Sequence, residues 1–378
     1  MHTISYWERN TFLREADFII IGSGIVGLST ALYLKTKKPK SHVVIIERGI
    51  LPSGASTKNA GFACFGSLSE IASDLKKFSE EEVVGLVKKR WDGLQLLIKN
   101  LGKKNIGYEN HGGHELFLKT QESLWDECRS QLHSINKLIK STLNDSTTYT
   151  IKQSLIKNYK FNQTIGLVYC KKEAQIDTGK MMQALLDKVL RLGVVILNGI
   201  NVLEFSETSS GVNLHTSHIE LRTKNLLITT NGFAKQLIPH LPVVPARAQV
   251  LITQPIKKLP WKGTFHINEG FYYFRNVGNR VLLGGGRNLD FKTEETYNFG
   301  LTPVIQTKLE QLLHDVILPN QPVEIDMRWS GIMGMGNEKK YILQKISSHV
   351  YCGVRMSGMG VALGSQVGKE LASMALKS

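Results

Sequence analysis

The run FIIIGSGIVGLSTALYL, from Phe18 to Leu34, joins an apolar segment to three spaced glycines and then to a second apolar segment. Residues 17–21 read as a strand buried on both faces, because the apolar run is continuous rather than alternating. Residues 27–35 read as a helix with Leu28, Ala31, Leu32 and Leu34 turned inward, and residues 42–46 as a second β-branched strand. This is a β–turn–α–β unit whose turn, Gly22, Ser23, Gly24, Ile25, Val26 and Gly27, fits GxGxxG. Gly22 permits the tight turn, Gly24 lets a pyrophosphate approach the backbone, and Gly27 lets helix and strand pack closely. The free N–H groups of the helix start attract an anion, an effect of about 0.3–2 kcal/mol. Glu47 ends the second strand, where a carboxylate accepts hydrogen bonds from an adenosine ribose, with Arg48 beside it. Strand, glycines, helix, second strand and terminal acid together mark a dinucleotide site.

The turn alone does not separate FAD from NAD. Three features favour FAD. The unit lies near the start of the chain; LPSGASTKNAGFACFG, a small and hydroxyl-rich segment, follows it; and a second glycine-rich turn, SGMG at residues 357–360, lies near the end.

The rest of the chain bounds the answer further. Of 378 residues, 42% are hydrophobic and 21% charged, as in a globular enzyme. No apolar stretch reaches the roughly 20 residues of a membrane helix. The segment MHTISYWERNTFLREAD has neither an apolar signal core nor transit-peptide character, so a cytoplasmic location is expected. Cys64, Cys128, Cys170 and Cys352 are scattered without CxxC spacing, which argues against zinc and disulfides, and no metal is expected. The net charge of +15 comes from dispersed lysines without an arginine-rich block, so nucleic acid is not the expected partner. Helical sequence fills residues 69–101 and 123–139, a helix follows in QIDTGKMMQALL, and residues 245–286 are strand-rich.

In order along the chain, DFIIIGSGIVGLSTALYL, VVIIERG, SGASTKNAGF, QIDTGKMMQAL, NVLEF, LLITTNGFA, PARAQVLIT, YYFRNVGNRVLLGGG, RWSGI and SGMGVALGSQVGKELA resemble the D-amino-acid-oxidase-type flavoprotein family. That family includes glycine, sarcosine and γ-glutamylputrescine oxidases. The resemblance implies an α/β plus α+β protein: a discontinuous FAD-binding Rossmann-type domain (1–75, 168–240, 325–378) and an antiparallel-sheet substrate domain (76–167, 241–324). It implies FAD extended along Gly22–Val26 and Glu47, with Ser56, Thr57, Asn59 and Ala60 beside the pyrophosphate and flavin. Val202 would hold the adenine edge, and Gly232 would close the phosphate side. Gly331 would join them, and the N–H groups of Gly358, Met359, Gly360 and Val361 would face the flavin N1/O2 edge, where reduced flavin is anionic.

Family chemistry is oxidation of a C–H bond beside an amine nitrogen, with hydride passing to flavin N5 and the imine then hydrolysed; oxygen or a quinone takes the electrons. Tyr272 and Tyr273 occupy the place of a substrate-holding tyrosine, and strand alternation turns only one of them to the ring. Arg275 shares the face of Tyr273. Relatives often read Gly-x-Arg where this chain has WSGIMG, the arginine pairing with a substrate carboxylate. Here Met333 stands in its place, and relatives' Asp-x-x-Pro is replaced by NEKKYILQ. Arg275 is the preferred substitute, followed by Arg328, with Arg287 and Arg355 as others. An amine without a carboxylate would need none of them and would sit in an aromatic cage of Tyr272, Tyr273 and Trp329. Asn59 replaces the histidine that carries covalent flavin in dimethylglycine-type relatives, so noncovalent FAD is expected. Competing readings are a flavoprotein oxidising an amine-modified tRNA base and an FAD-binding protein without turnover.

Overall fold

The computed structural model describes residues 3–377. At its centre five parallel strands run in the order Val350–Val354, Glu220–Ile228, Ala16–Ile21, Val43–Glu47 and Val195–Asn198. The antiparallel strand Ile342–Lys345 pairs with Val350–Val354 at one edge. The hairpin expected in VNLHTSHIELRTKNLLITTNG forms: Gly211–Thr216 pairs antiparallel with Glu220–Ile228, and Val202–Thr208 adds beside it.

The continuous apolar strands are explained by burial on both faces. Phe18, Ile20, Val43, Ile45 and Leu227 point to one side, where the helices Ile25–Lys37, Thr178–Arg191 and Gly360–Ala375 cover them. Ile19, Ile21, Val44, Ile46, Leu226 and Ile228 point to the other, under the hairpin and Ile238, Leu241 and Val243. The two helices that follow the glycine turns cross in close contact: a Cβ on Gly368 would lie 2.5 Å from Cβ of Ser29, so nothing larger fits there.

A second eight-stranded sheet follows the order Ile325–Met335, Val244–Thr253, Arg280–Gly285, Tyr272–Val277, Thr264–Ile267, Gly113–Leu118, Thr164–Cys170 and Tyr149–Ile151. All neighbours are antiparallel except Thr264–Ile267 with Gly113–Leu118. One face packs Leu251, Phe274, Leu283 and Tyr272 on the helix Pro303–Leu312. The other faces Ala60, Phe62 and, farther along, the helices Leu68–Leu75, Glu80–Leu101 and Glu122–Leu143. Two short strands, Phe62–Ala63 and Ala174–Gln175, pair between the large sheets.

The strand Ile325–Met335, assigned from sequence to the cofactor domain, is an edge of this second sheet, because its backbone pairs along its length with Val244–Thr253. Likewise Thr164–Cys170 belongs wholly to the second sheet, so position 168 falls inside a strand. Among the described residues, no helix is long and apolar enough to cross a membrane.

Candidate functional site

The first glycine turn is held from three directions. Gly22 has φ +102°, a conformation that favours glycine. Thr229, at the end of the neighbouring strand, donates from Oγ1 to the carbonyls of Ile21 (2.8 Å) and Gly22 (3.1 Å). A Cβ on Gly27 would lie 1.9 Å from the Gly22 carbonyl oxygen, so the helix can start here only without a side chain. Gly24 differs: its φ of −74° suits any residue, and a Cβ would meet only Ser56 Oγ, at 2.9 Å. Ser56 Oγ accepts the N–H of Ile25 (3.0 Å) and so caps the helix from a distant loop. Val26 turns away from the turn and packs on Met356, Leu363 and Val367.

Glu47 is buried at the end of its strand. Its Oε2 accepts from Ser23 N (3.1 Å) and Ser23 Oγ (2.8 Å), and its Oε1 from Gly49 N (3.0 Å) and Ser53 Oγ (3.3 Å). The acid therefore braces the turn as well as standing at the expected ribose position. The Arg48 guanidinium lies 3.7 Å from the Phe233 ring centroid and anchors the turn Asn231–Gln236. Val202 is buried at the start of its strand, paired with Thr216.

The segment expected beside the flavin forms the short helix Ala55–Lys58. Thr57 Oγ1 donates to Pro52 O (2.8 Å). Asn59 closes the helix: its amide donates to Ser56 O (2.8 Å), while its Oδ1 accepts from Gly61 N (2.8 Å) and Thr178 Oγ1 (3.1 Å). Ala60 packs on Val250 and Leu282 of the second sheet. Gly331 lies against the same helix, a Cβ there coming 3.1 Å from Lys58 Cβ, and Trp329 Nε1 donates to Lys58 O (3.0 Å).

Gly232, Met333 and the second glycine turn converge. A Cβ on Gly232 would lie 2.5 Å from the Met333 carbonyl oxygen, and one on Gly358 3.7 Å from Met333 Sδ. Gly358 has φ +78°; the N–H of Met359, expected to face the ring, instead donates to Met356 O (2.8 Å), while Gly360 and Val361 open the last helix, where the first N–H groups have no partner within the helix. Asn231 Oδ1 accepts the N–H groups of Arg355 and Met356, both at 3.1 Å, and fixes this turn to the central sheet. Thr229 and Asn231 were not singled out from the sequence. Their signal is polar residues at the C-terminal end of a buried strand, in ITTNG.

Sheet register decides which second-sheet residues join them. Trp329 stands opposite Val250, Val250 opposite Gly284, Gly284 opposite Tyr273 and Tyr273 opposite His266, forming one row on the inner face. Tyr273 lies edge-on to Phe62 at 5.6 Å, and burial pushes its phenol up to about 12. Tyr272 points the other way, into the aromatic core with Phe274 and Trp261, so the expected cage of Tyr272, Tyr273 and Trp329 does not form. Phe62, from the short two-stranded sheet, packs against Tyr273 from across the inner face.

The candidate arginines are each held by other partners. Arg275 does share the face of Tyr273, but its row runs through Leu282 and Ile252 to Met327. Met333 is six residues and three strands away from it, roughly 25 Å at about 3.3 Å per residue and about 4.8 Å per strand. Arg275 is buried and donates from Nη1 to Ile176 O (2.9 Å), and burial, opposed by Asp177 and Glu109, lowers it to about 10. Arg328 lies on the opposite face, bound to Gln306 (2.6 Å) and Glu310 (2.7 Å). Arg287 stacks over Phe291 at 4.6 Å, and Arg355 is clamped by Lys340 O (2.8 Å), Pro242 O (3.3 Å) and Glu338 (3.3 Å).

These surroundings fit FAD. The first turn leaves Gly24 bare of a side chain at a helix start, as a pyrophosphate needs, and the second leaves Gly360 and Val361 at a helix start, a setting that suits an anionic ring edge.

Residues 17–374 match the DAO family, described as FAD dependent oxidoreductase. The chain is 22% identical over 384 residues to the probable oxidoreductase OrdL of Haemophilus influenzae, covering 97% of this chain and 84% of that protein. Among solved structures it is similar to the L-proline dehydrogenase of P. horikoshii, with a TM-score of 0.76, 16% identity and coverage of 97% and 94%. It is also similar to the glycine oxidase of Geobacillus kaustophilus, with a TM-score of 0.76, 17% identity and coverage of 96% and 95%. With the family matched over nearly all its length and both glycine turns in place, this chain belongs to the DAO family of FAD dependent oxidoreductases.

Proposed function

We propose that the protein oxidises the C–N bond of a small amine that lacks an α-carboxylate, with FAD held noncovalently. The observation that carries the substrate class is Met333. A buried carboxylate without a paired cation costs several kcal/mol, and Arg275 and Arg328 lie away from that position while Arg287 and Arg355 are held by Phe291 and by Lys340 O. L-proline dehydrogenase and glycine oxidase, by their names, act on amino acids; this chain shares their fold without the arginine expected at position 333.

When bound, FAD supplies the hydride acceptor, and the protein positions and shields the reaction. Trp329, Tyr273 and Phe62 form an apolar wall on the inner sheet face. Tyr273, held at about 12, stays a neutral phenol at physiological pH and acts as a hydrogen-bonding group rather than a base. The helix start at Gly360 steadies negative charge at the ring edge. The noncovalent reading is supported by Asn59, whose amide is no nucleophile and is committed to backbone and Thr178.

The experiment is anaerobic mixing with matched pairs of amino acids and the amines formed by their decarboxylation, following bleaching of the flavin's visible band. Reduction by the amine and not by its carboxylated partner is expected. Rapid reduction by amino acids alone would overturn the substrate class. Acid precipitation should release all the FAD; flavin left on the pellet would overturn the noncovalent reading.

A further inference from the structure

We infer that Cys64, Glu173 and His266 form a site for a zinc-type divalent cation. The thiol sulfur, a carboxylate oxygen and an imidazole nitrogen all lie within 4.8 Å of one another. They come from three separate segments: the end of the short strand Phe62–Ala63, the approach to Ala174–Gln175, and the inner face of the second sheet. The absence of CxxC spacing, which spoke against zinc in the sequence, does not bear on a site assembled this way.

Burial and bonding point to a ligand. Glu173 is 1% exposed, yet its Oε1 has no hydrogen-bond partner among the described residues. Its Oε2 meets His266 Nε2 only at 3.4 Å, too long for a good hydrogen bond. Cys64 is buried beside them. A buried carboxylate left half-satisfied is unfavourable, and a cation between the three groups would satisfy it.

The chemistry suits zinc. Sulfur, nitrogen and oxygen donors surround Zn²⁺ tetrahedrally, and the usual bond lengths space such donors about 3.3–3.6 Å apart. Closing the observed cluster requires a shift of about 1 Å or a little more at the widest pair. His266 binds through the bare nitrogen of a neutral imidazole and Cys64 as thiolate, so the thiol proton passes to solvent on binding. Water completes the fourth position. The ion would pin the short two-stranded sheet, which continues directly from the Asn59–Gly61 segment, onto the second sheet. This inference does not depend on the substrate proposed above.

The test uses the FAD-loaded protein, stripped of metal by a chelator and titrated with Zn²⁺ against a chromophoric zinc indicator. One Zn²⁺ per chain is expected. Cys64→Ser and Glu173→Gln should each weaken binding by about 10- to 100-fold or more, while Cys128→Ser, in a different core cluster, should not. FAD content checks that each variant is folded. A measurement on the unaltered protein stands beside the variants: added Cd²⁺ should produce an ultraviolet thiolate-to-cadmium absorption band. Zinc bound equally well by Cys64→Ser, or no zinc uptake and no cadmium band in the unaltered protein, overturns the site.

Discussion

Gly24→Val should separate cofactor binding from folding. At this position φ is −74°, so valine adopts the backbone without strain, and its Cβ meets only the terminal oxygen of Ser56 at 2.9 Å. At the Cβ, the folded chain loses the Ile25 N–Ser56 Oγ bond, about 0.5–1.5 kcal/mol. FAD loses much more. The branched side chain occupies the space above the helix start, forfeiting a dipole interaction of about 0.3–2 kcal/mol and one charge-assisted hydrogen bond of about 1.5–3 kcal/mol. The combined loss of about 2–5 kcal/mol weakens FAD binding roughly 30- to several-thousand-fold. The assay is FAD fluorescence quenching on apoprotein, with thermal unfolding of the apoprotein measured alongside. A colourless, soluble variant with a nearly unchanged apoprotein Tm is expected. A yellow variant with unaltered FAD affinity would refute the placement of the pyrophosphate at this turn.

Gly27→Ala should behave oppositely, because its Cβ would fall 1.9 Å from a backbone oxygen; destabilisation by about 1–3 kcal/mol or more is expected in the apoprotein itself, read by denaturant unfolding. Glu294→Ala should destabilise by about 3–5 kcal/mol, since it strips a buried Arg247 of its two-pronged partner (2.8 and 2.9 Å), and urea unfolding will show it with FAD affinity unchanged. Burial works to raise the Glu70 carboxyl, but Arg90 and Lys339 outweigh it and hold it at about 2 against an ordinary 4.5. The resulting stability is present above about pH 4.5 and lost as pH falls towards 2, so Glu70→Gln should flatten the pH dependence of Tm in that window. Transfer RNA should bind weakly and lose affinity steeply with salt, because lysines such as Lys76, Lys88, Lys224 and Lys340 are paired with acids; tight binding at physiological salt would favour the RNA-modifying reading.

The parts legible in the sequence are those whose signal is local. Strand, glycine turn and helix at Ala16–Lys37 announce themselves within some twenty residues, and so does the strand–turn–helix around Gly358. The strands Gly113–Leu118 and Thr164–Cys170 carry no such signal, because their partners are remote: the first pairs in parallel with Thr264–Ile267. The distance between Arg275 and Met333 has the same origin. Alternation within its strand correctly puts it on the face of Tyr273, but only the register across four strands shows that it is far from Met333. Tyr272 shows the reverse limit: the rule that one of two neighbouring tyrosines faces inward is readable, and which one is not, until the packing of Phe274 and Trp261 is known.

The backbone and the side chain at position 333 answer to different constraints. The backbone is fixed: it pairs with Ala246, and its carbonyl oxygen closes against Gly232 so tightly that a side chain there would overlap it. Through Gly232 and the neighbouring Asn231 it is tied to the turn that carries Arg355 and Met356. The methionine side chain has a looser duty: even a Cβ added at Gly358 would stand 3.7 Å from its sulfur, an ordinary contact distance. Because the strand is held by its main chain, the side chain at 333 can change without moving either glycine turn. Replacing methionine with arginine therefore alters the charge offered to a substrate while leaving the cofactor's cradle in place. If the proposed substrate class holds, Met333→Arg should let the flavin be reduced by the carboxylated partner of a matched amine pair, and anaerobic flavin bleaching that stays unchanged in this variant would count against a role for position 333.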